Sequence, residues 1–204
     1  MKKFVIFDFD GTLADAKQVV FDTVNILAGQ FGFPPLSEDQ MDQMKNVSSE
    51  QYQLIAKDFY ALYKQSLHKI QLFDGIREVL QTLEQKGIGI AVISSNEESN
   101  IREYFELQDI ESINEIYTSS DLYGKDVMID RFLEQHQLQK QDVLYVGDEV
   151  RDILACQKSE IDIVWVNWGY STEEDVETIK PTYYAKTPND IVKYALLTAS
   201  TSNA

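Results

Sequence analysis

The sequence contains little that is typical of a secreted, membrane-bound or nucleic-acid-binding protein. Its single cysteine, Cys156, excludes an internal disulfide and fits a reducing compartment. No apolar stretch reaches membrane-spanning length, and the apolar run after Lys3 stops at Asp8, too short for a signal peptide. Basic residues are also few, since 18 Lys and Arg face 34 Asp and Glu in 204 residues, a net charge of −16. This charge argues against nucleic acid or an anionic membrane as a partner, and we expect a soluble, cytoplasmic protein.

The composition is otherwise that of a folded protein of the α/β class. Hydrophobic residues make up 44% of the chain, which is enough for a core, and the length fits one domain with a modest insertion. Helical and strand-like segments alternate from residue 74 onward. Because such strands are joined by helical crossovers, the pattern predicts a Rossmann-like parallel sheet with helices on both faces. The predicted strands are residues 4–7, 88–93, 113–118, 142–146, 162–168 and 183–185.

Residues 16–73 differ from the rest of the chain because their pattern predicts helices only. One helix is expected from about Lys17 to Phe31, and apolar residues recur at helical spacing further along. We therefore divide the chain into a core of residues 1–15 and 74–204 and a helical insertion of residues 16–73. The sequence gives no indication of the oligomeric state.

Two aspartates one residue apart follow the first predicted strand. Asp8 and Asp10 stand where that strand leaves the core, just before Gly11. Carboxylates so close together repel one another and lose hydration, so stability does not explain the pair. A turn or a helix cap, the structural alternative, needs only one carboxylate. The pair therefore predicts a functional site that holds a cation or a proton.

Further polar residues follow other predicted strands. Ser94 and Asn96 end the strand at 88–93, Asp148 follows the strand at 142–146 with Asp152 close behind, and Lys125 begins a helix. Ligands of parallel α/β sheets bind at the carboxyl ends of the strands. The acids can bind Mg²⁺, and the ion, the lysine, the hydroxyl and loop amides could together hold a phosphate dianion.

These motifs resemble those of the haloacid dehalogenase superfamily, in its phosphatase branch. The segment DFDGTLAD at residues 8–15 is similar to the first motif, Ser94 to the second, Lys125 to the third, and GDEVRD at 147–152 to the fourth. The helical insertion stands where the type-one (C1) caps of phosphoglycolate-phosphatase-like members stand. The resemblance covers the whole chain.

The resemblance implies a Mg²⁺-dependent phosphomonoester hydrolase that acts on a small phosphorylated metabolite. Asp8 would be the nucleophile that forms an aspartyl-phosphate, and Asp10 would act first as general acid and then as general base. Mg²⁺ would be bound by the Asp8 side chain, the Asp10 carbonyl oxygen and Asp148, with Asp152 supporting these ligands from outside the coordination sphere.

The resemblance also implies the contacts of the transferred phosphoryl group. Ser94 and Lys125 would hold it, and the amides of Gly11 and Thr12 can face its oxygens. Asn96 would orient either Ser94 or the phosphate.

Several alternatives remain open at this point. A phosphosugar mutase or a catalytically inactive binding module could use the same scaffold, whereas Asp10 argues against a dehalogenase, which has no leaving alcohol to protonate. Glu97 and Glu98 stand where close phosphoglycolate phosphatases often have a lysine, which weakens the case for phosphoglycolate as the substrate. The best candidate for substrate selection is residues 44–49 of the insertion, where Lys45 either contacts the leaving group or is a solvated surface charge.

Overall fold

A computed structural model describes residues 1–32, 34–37, 49–113, 115–119 and 124–197, without the side chains of 49–55. The strands are β1 (Phe4–Phe7), β2 (Ala14–Asp15), β3 (Gln71–Leu72), β4 (Gly89–Ser94), β5 (Glu115–Thr118), β6 (Val143–Gly147), β7 (Asp162–Val166) and β8 (Tyr183–Ala185). The α-helices are α1 (Lys17–Phe31), α2 (Ser49–Gln65), α3 (Ile76–Gln85), α4 (Glu98–Leu107), α5 (Lys125–Gln135), α6 (Val150–Ser159), α7 (Glu173–Val176) and α8 (Pro188–Ala195). Short 3₁₀ helices lie at Leu67–Lys69 and Lys140–Asp142.

Six strands form one parallel sheet in the order β5-β4-β1-β6-β7-β8. This confirms the predicted Rossmann-like α/β fold and each of its six strands. The strand predicted at 162–168 is shorter than expected, because the chain turns after Val166. Since β1 lies between β4 and β6, the residues that follow these three strands meet at one edge of the sheet.

The core lies on both faces of this sheet. Val5 and Phe7 of β1 point into one apolar cluster with α3, α4 and α8, whereas Ile6 points into a second cluster with α5 and α6. All three side chains are fully buried. A strand buried on both faces explains why the first apolar run of the chain shows no alternation with polar residues.

The two ends of the helical insertion are joined by a small antiparallel ribbon. β2 pairs with β3 in the register Ala14 with Leu72 and Asp15 with Gln71. The expectation of helices only over 16–73 is therefore wrong at residues 71–72. A two-residue strand is too short to show the alternation by which strands are recognised in a sequence. The predicted helix from Lys17 to Phe31 is confirmed as α1.

Within the described ranges, no helix has both the length and the apolar character needed to cross a membrane.

Candidate active site

The predicted site residues converge on the carboxyl edge of the sheet. β1 leads into Asp8, β4 ends at Ser94, β6 leads into Asp148, and α5 begins with Lys125. These four polar side chains are buried, with relative exposures of 0–2%. Asp10 keeps partial exposure.

Lys125 lies between two carboxylates. Its Nζ is 2.7 Å from Oδ2 of Asp8 and 2.6 Å from Oδ1 of Asp152. Burial by itself lowers the pKa of this lysine, but the charges of Asp152 and Asp8 outweigh that effect and raise the pKa above its ordinary value. The two carboxylates therefore favour the charged form of Lys125 inside the site.

The Asp8 carboxylate is held in a fixed orientation. Its Oδ1 accepts a hydrogen bond of 2.7 Å from the Phe9 amide, and its Oδ2 faces Lys125. Burial raises the pKa of Asp8 to about 7, although the charge of Lys125 acts in the opposite direction. The charge of Asp152 adds to the increase. A buried carboxylate with this environment gains from a further positive charge nearby.

Asp148 is a buried carboxylate that accepts hydrogen bonds from two neutral groups of the described chain. Its Oδ1 accepts from the Thr12 hydroxyl at 2.7 Å, and its Oδ2 accepts from the Tyr170 amide at 2.8 Å. Burial, followed by the charge of Glu149, raises its pKa well above the ordinary range. No ion pair among the described residues includes Asp148. A desolvated carboxylate without a basic partner is the kind of ligand that a bound cation requires.

The fourth motif forms an acidic cluster beside Asp8. One carboxylate oxygen each of Asp8, Glu149 and Asp152 lies within 4.8 Å of the other two. Glu149 also pairs with Arg151, while Asp152 accepts from Lys125 and from the Glu149 amide at 3.0 Å. The predicted metal ligands include Asp8 but not Glu149, so this grouping differs from the expectation. Carboxylate oxygens gathered in this way suit Mg²⁺, a hard cation.

Asp10 is held by one residue of the core and one of the helical insertion. The Asn96 side-chain amide donates to its Oδ2 at 2.8 Å, and the hydroxyl of Tyr63 in α2 donates to its Oδ1 at 2.5 Å. Burial raises the pKa of Asp10, whereas these two hydrogen bonds lower it. Neither contact was predicted from the sequence. Tyr63 has no local signal beyond being an aromatic residue in a helix.

The second motif places two groups together. The main-chain amide of Asn96 donates to Ser94 Oγ at 3.1 Å, while its side chain donates to Asp10. Asn96 was expected to orient either Ser94 or the phosphate. It does contact Ser94, but through its main-chain amide. Its side chain has a partner that neither expectation included.

Gly11 and Thr12 form a tight turn beside Asp148. Gly11 has a φ of +82°, and a Cβ at this position would lie 2.4 Å from Oδ2 of Asp148. Both amides donate within the loop, that of Gly11 to Ala14 O at 2.9 Å and that of Thr12 to Phe9 O at 3.3 Å. Phosphate contacts from these amides stay a prediction, since these bonds would first have to be exchanged.

Lys45 and its segment 44–49 lie, apart from the backbone of Ser49, outside the described residues. Trp168 and Tyr170 reach the site from the loop after β7, and neither is among the predicted site residues. The Trp168 indole donates to the Thr12 carbonyl at 3.2 Å. Together with the Tyr170 amide, this contact holds the loop after β7 against the first and fourth motifs.

Comparison with known proteins gives consistent results. A family model described as haloacid dehalogenase-like hydrolase matches residues 5–166. The chain is 27% identical over 203 residues to a phosphoglycolate phosphatase of Synechococcus elongatus, covering 93% of this chain and 95% of that protein. It is 22% identical over 197 residues to a 5'-nucleotidase of Pseudomonas aeruginosa, covering 88% and 89%. A haloacid dehalogenase-like hydrolase structure from Streptococcus pneumoniae superposes with a TM-score of 0.82 at 21% identity, covering 95% of this chain and 98% of that one.

Proposed function

Because the chain belongs to the haloacid dehalogenase-like hydrolases, we propose that it is a Mg²⁺-dependent phosphatase that cleaves a small phosphorylated metabolite through an aspartyl-phosphate. One observation carries the proposal. The two aspartates of the first motif have different partners, since Asp8 faces the Lys125 cation and Asp10 faces the neutral donors Tyr63 and Asn96. Two carboxyl groups in different environments are suited to different tasks.

In the first half-reaction, an Asp8 carboxylate oxygen attacks phosphorus and the bond from phosphorus to the leaving oxygen breaks. The ammonium of Lys125 stabilises Asp8 as the carboxylate that this attack requires. Asp10, protonated at the start of the reaction, gives its proton to the leaving alcohol. In the second half-reaction, Asp10 takes a proton from water, which attacks the aspartyl-phosphate, releases inorganic phosphate and restores Asp8.

The residues fit a bound magnesium ion. Asp8, the Asp10 carbonyl oxygen and Asp148 are the proposed ligands, and the absence of a basic partner at Asp148 among the described residues supports its inclusion. Glu149 and Asp152 stand beside them with charges that Arg151 and Lys125 offset. When bound, Mg²⁺ would supply a positive charge that offsets repulsion between the phosphate dianion and these acids.

Other residues would hold the phosphoryl group and select the substrate. Lys125 and Ser94 lie at the same sheet edge as Asp8 and are the proposed phosphoryl contacts. We assign the insertion, residues 16–73, the role of a cap that shields the site from water. The names of the Synechococcus and Pseudomonas relatives support a small phosphorylated substrate, and Lys45 remains the candidate contact for its leaving group.

A phosphate-release assay tests this proposal. The purified protein would be incubated with p-nitrophenyl phosphate and with a panel of phosphorylated sugars, nucleotides and two-carbon acids, in Mg²⁺ and in excess chelator. We expect release of inorganic phosphate only with Mg²⁺, and none with Asp8→Asn. Acid quenching during turnover should leave phosphate on the peptide that contains Asp8. Activity of Asp8→Asn within about tenfold of wild type, or transfer of phosphate to a sugar phosphate instead of water, would contradict the proposal.

A further inference from the structure

Tyr63 connects the helical insertion with the catalytic carboxyl group. It lies in α2, its side chain is fully buried, and its hydroxyl is 2.5 Å from Oδ1 of Asp10. Fifty-three residues separate the two positions in the chain. We propose that Tyr63 is a positioning residue for Asp10, an inference that rests on the proposed function. The general acid would then be correctly oriented only when α2 is docked on the core.

The two hydrogen bonds on Asp10 hold its carboxyl group through both oxygens. Asn96 holds Oδ2 from the loop after β4, and Tyr63 holds Oδ1 from the insertion. Each carboxylate oxygen has two lone-pair sites, so the bond from Tyr63 leaves a second site on Oδ1 for the leaving-group proton. Without Tyr63, one oxygen has no donor and the carboxyl group can rotate about χ2, a torsion with a broad energy profile in Asp.

The partner that holds Oδ2 is itself tied to the same helix. The Asn96 side-chain oxygen accepts from the Glu97 amide at 2.8 Å and from the Asn100 side chain at 3.3 Å. Asn100 also donates to the main-chain oxygen of Tyr60 in α2 at 3.3 Å. Both donors to Asp10 are thus connected to α2, Tyr63 directly and Asn96 through Asn100.

Tyr60 is a matched control for Tyr63 on the same helix. Its hydroxyl donates to the main-chain oxygen of Ser95 at 2.5 Å, so it also joins α2 to the core. Among the described residues, no hydrogen bond joins the Tyr60 hydroxyl to Asp10. Removing the hydroxyl of Tyr60 weakens a contact between α2 and the core but keeps both donors to Asp10, whereas removing that of Tyr63 weakens docking and also leaves Oδ1 of Asp10 without this donor. Phenylalanine keeps the ring of Tyr63 against Phe59, whose centroid lies 6.0 Å away.

The experiment compares phenyl phosphate and p-nitrophenyl phosphate, two esters of similar size whose leaving groups differ in acidity. Phenolate is the more basic leaving group and depends more on protonation by Asp10. For Tyr63→Phe we expect kcat to fall about tenfold with phenyl phosphate and less than about threefold with p-nitrophenyl phosphate. Tyr60→Phe keeps the Tyr63 hydroxyl on Asp10, so it should affect the two esters more equally than Tyr63→Phe does. In an Asp10→Asn background, Tyr63→Phe should cause no further selective loss, since the group that it orients is gone.

Each alternative result has a distinct meaning. An equal loss on both esters for Tyr63→Phe, with or without a lower melting temperature, would show that the hydroxyl only stabilises the fold and would overturn the inference. A selective loss that persists in the Asp10→Asn background would overturn it as well. A wild-type protein that releases no phosphate from either ester contradicts the proposed function and the inference together, whereas the first two results leave the proposed function intact.

Discussion

The ammonium nitrogen of Lys125 lies 2.7 Å from Oδ2 of Asp8, and only 1% and 3% of the two side chains are exposed to solvent. The same nitrogen contacts Asp152 at 2.6 Å. One lysine therefore offsets the charge of the first motif and that of the fourth. Removing the lysine leaves Asp8 and Asp152 as buried carboxylates without this cation, which is why its loss costs more than loss of a surface ion pair.

Lys125→Ala should therefore reduce both stability and activity. We expect a loss of about 3–5 kcal/mol in the free energy of unfolding, measured by urea denaturation in chelator. Phosphatase activity should stay low at saturating Mg²⁺, because a bound metal does not replace the lysine contact. Lys3→Ala is the matched control, since Lys3 makes an exposed pair with Asp142 at 3.0 Å, and its loss should cost about 0–1 kcal/mol. Equal losses of unfolding free energy and of activity in the two variants would contradict a role for Lys125 as the buried cation of the site.

Asp8→Asn should stabilise the metal-free protein at pH 8 while it abolishes activity. Burial raises the pKa of Asp8 from 3.8 to about 7, so the folded state binds this proton more tightly than the unfolded state. Stability from this group is complete below pH 4 and is lost as the pH rises to 7. Asparagine carries no such penalty. In chelator, the variant should melt about 2–6 °C above wild type at pH 8, and this difference should shrink steadily as the pH falls toward 4. A lower melting temperature than wild type at pH 8 would contradict the sign of this shift.

Asp148→Asn should weaken Mg²⁺ binding more than Glu149→Gln does. Among the described residues, the hydrogen-bond donors to the Asp148 carboxylate are neutral, whereas the Glu149 carboxylate already pairs with Arg151. Calorimetric titration of each variant with Mg²⁺ measures this directly and needs no substrate. We expect a loss of at least about tenfold in affinity for Asp148→Asn, or about 1.4 kcal/mol. A larger loss of affinity in Glu149→Gln than in Asp148→Asn would indicate that Mg²⁺ binds at the cluster of Asp8, Glu149 and Asp152 instead.

Gly169→Ala should displace the Asp148 side chain. A Cβ on Gly169 would lie 2.3 Å from the Cβ of Asp148 and 2.2 Å from its Oδ2, so the clash is not limited to the flexible end of the side chain. Such overpacking costs about 1–3 kcal/mol, seen as a lower melting temperature, and Mg²⁺ affinity should fall as well. Gly29→Ala in α1 is the control, because a Cβ there has no atom within 4 Å. That change should raise the melting temperature slightly through better helix propensity. Unaltered Mg²⁺ affinity in Gly169→Ala would show that Asp148 does not bind the ion.

The sequence was sufficient to predict the sheet because its central strands, β1, β4, β6 and β7, are apolar runs bounded by polar residues. Asp8, Ser94 and Asp148 could be placed together for the same reason, since each follows a strand and the carboxyl ends of parallel strands share one edge. The motif spacing then identified the family that the comparison confirms.

Other features depend on contacts that have no local pattern. The two-residue strands β2 and β3 are too short for periodicity to detect. Tyr63 meets Asp10 only because α2 folds back over the first motif, and Tyr170 meets Asp148 through a main-chain amide, which any residue could supply. That the described donors to Asp148 are neutral can be learned only from the three-dimensional structure, because these donors are distant in the chain.

The β2–β3 ribbon has a consequence for how such proteins diversify. Paired residues of an antiparallel ribbon have Cα atoms about 4.5–5.5 Å apart, so the chain leaves the core after Asp15 and returns at Gln71 to almost the same point. A two-residue turn such as Asn-Gly could close that gap. The length of the segment between the two strands is therefore independent of the order of the six parallel strands, which a longer or shorter connection at this point would leave unchanged.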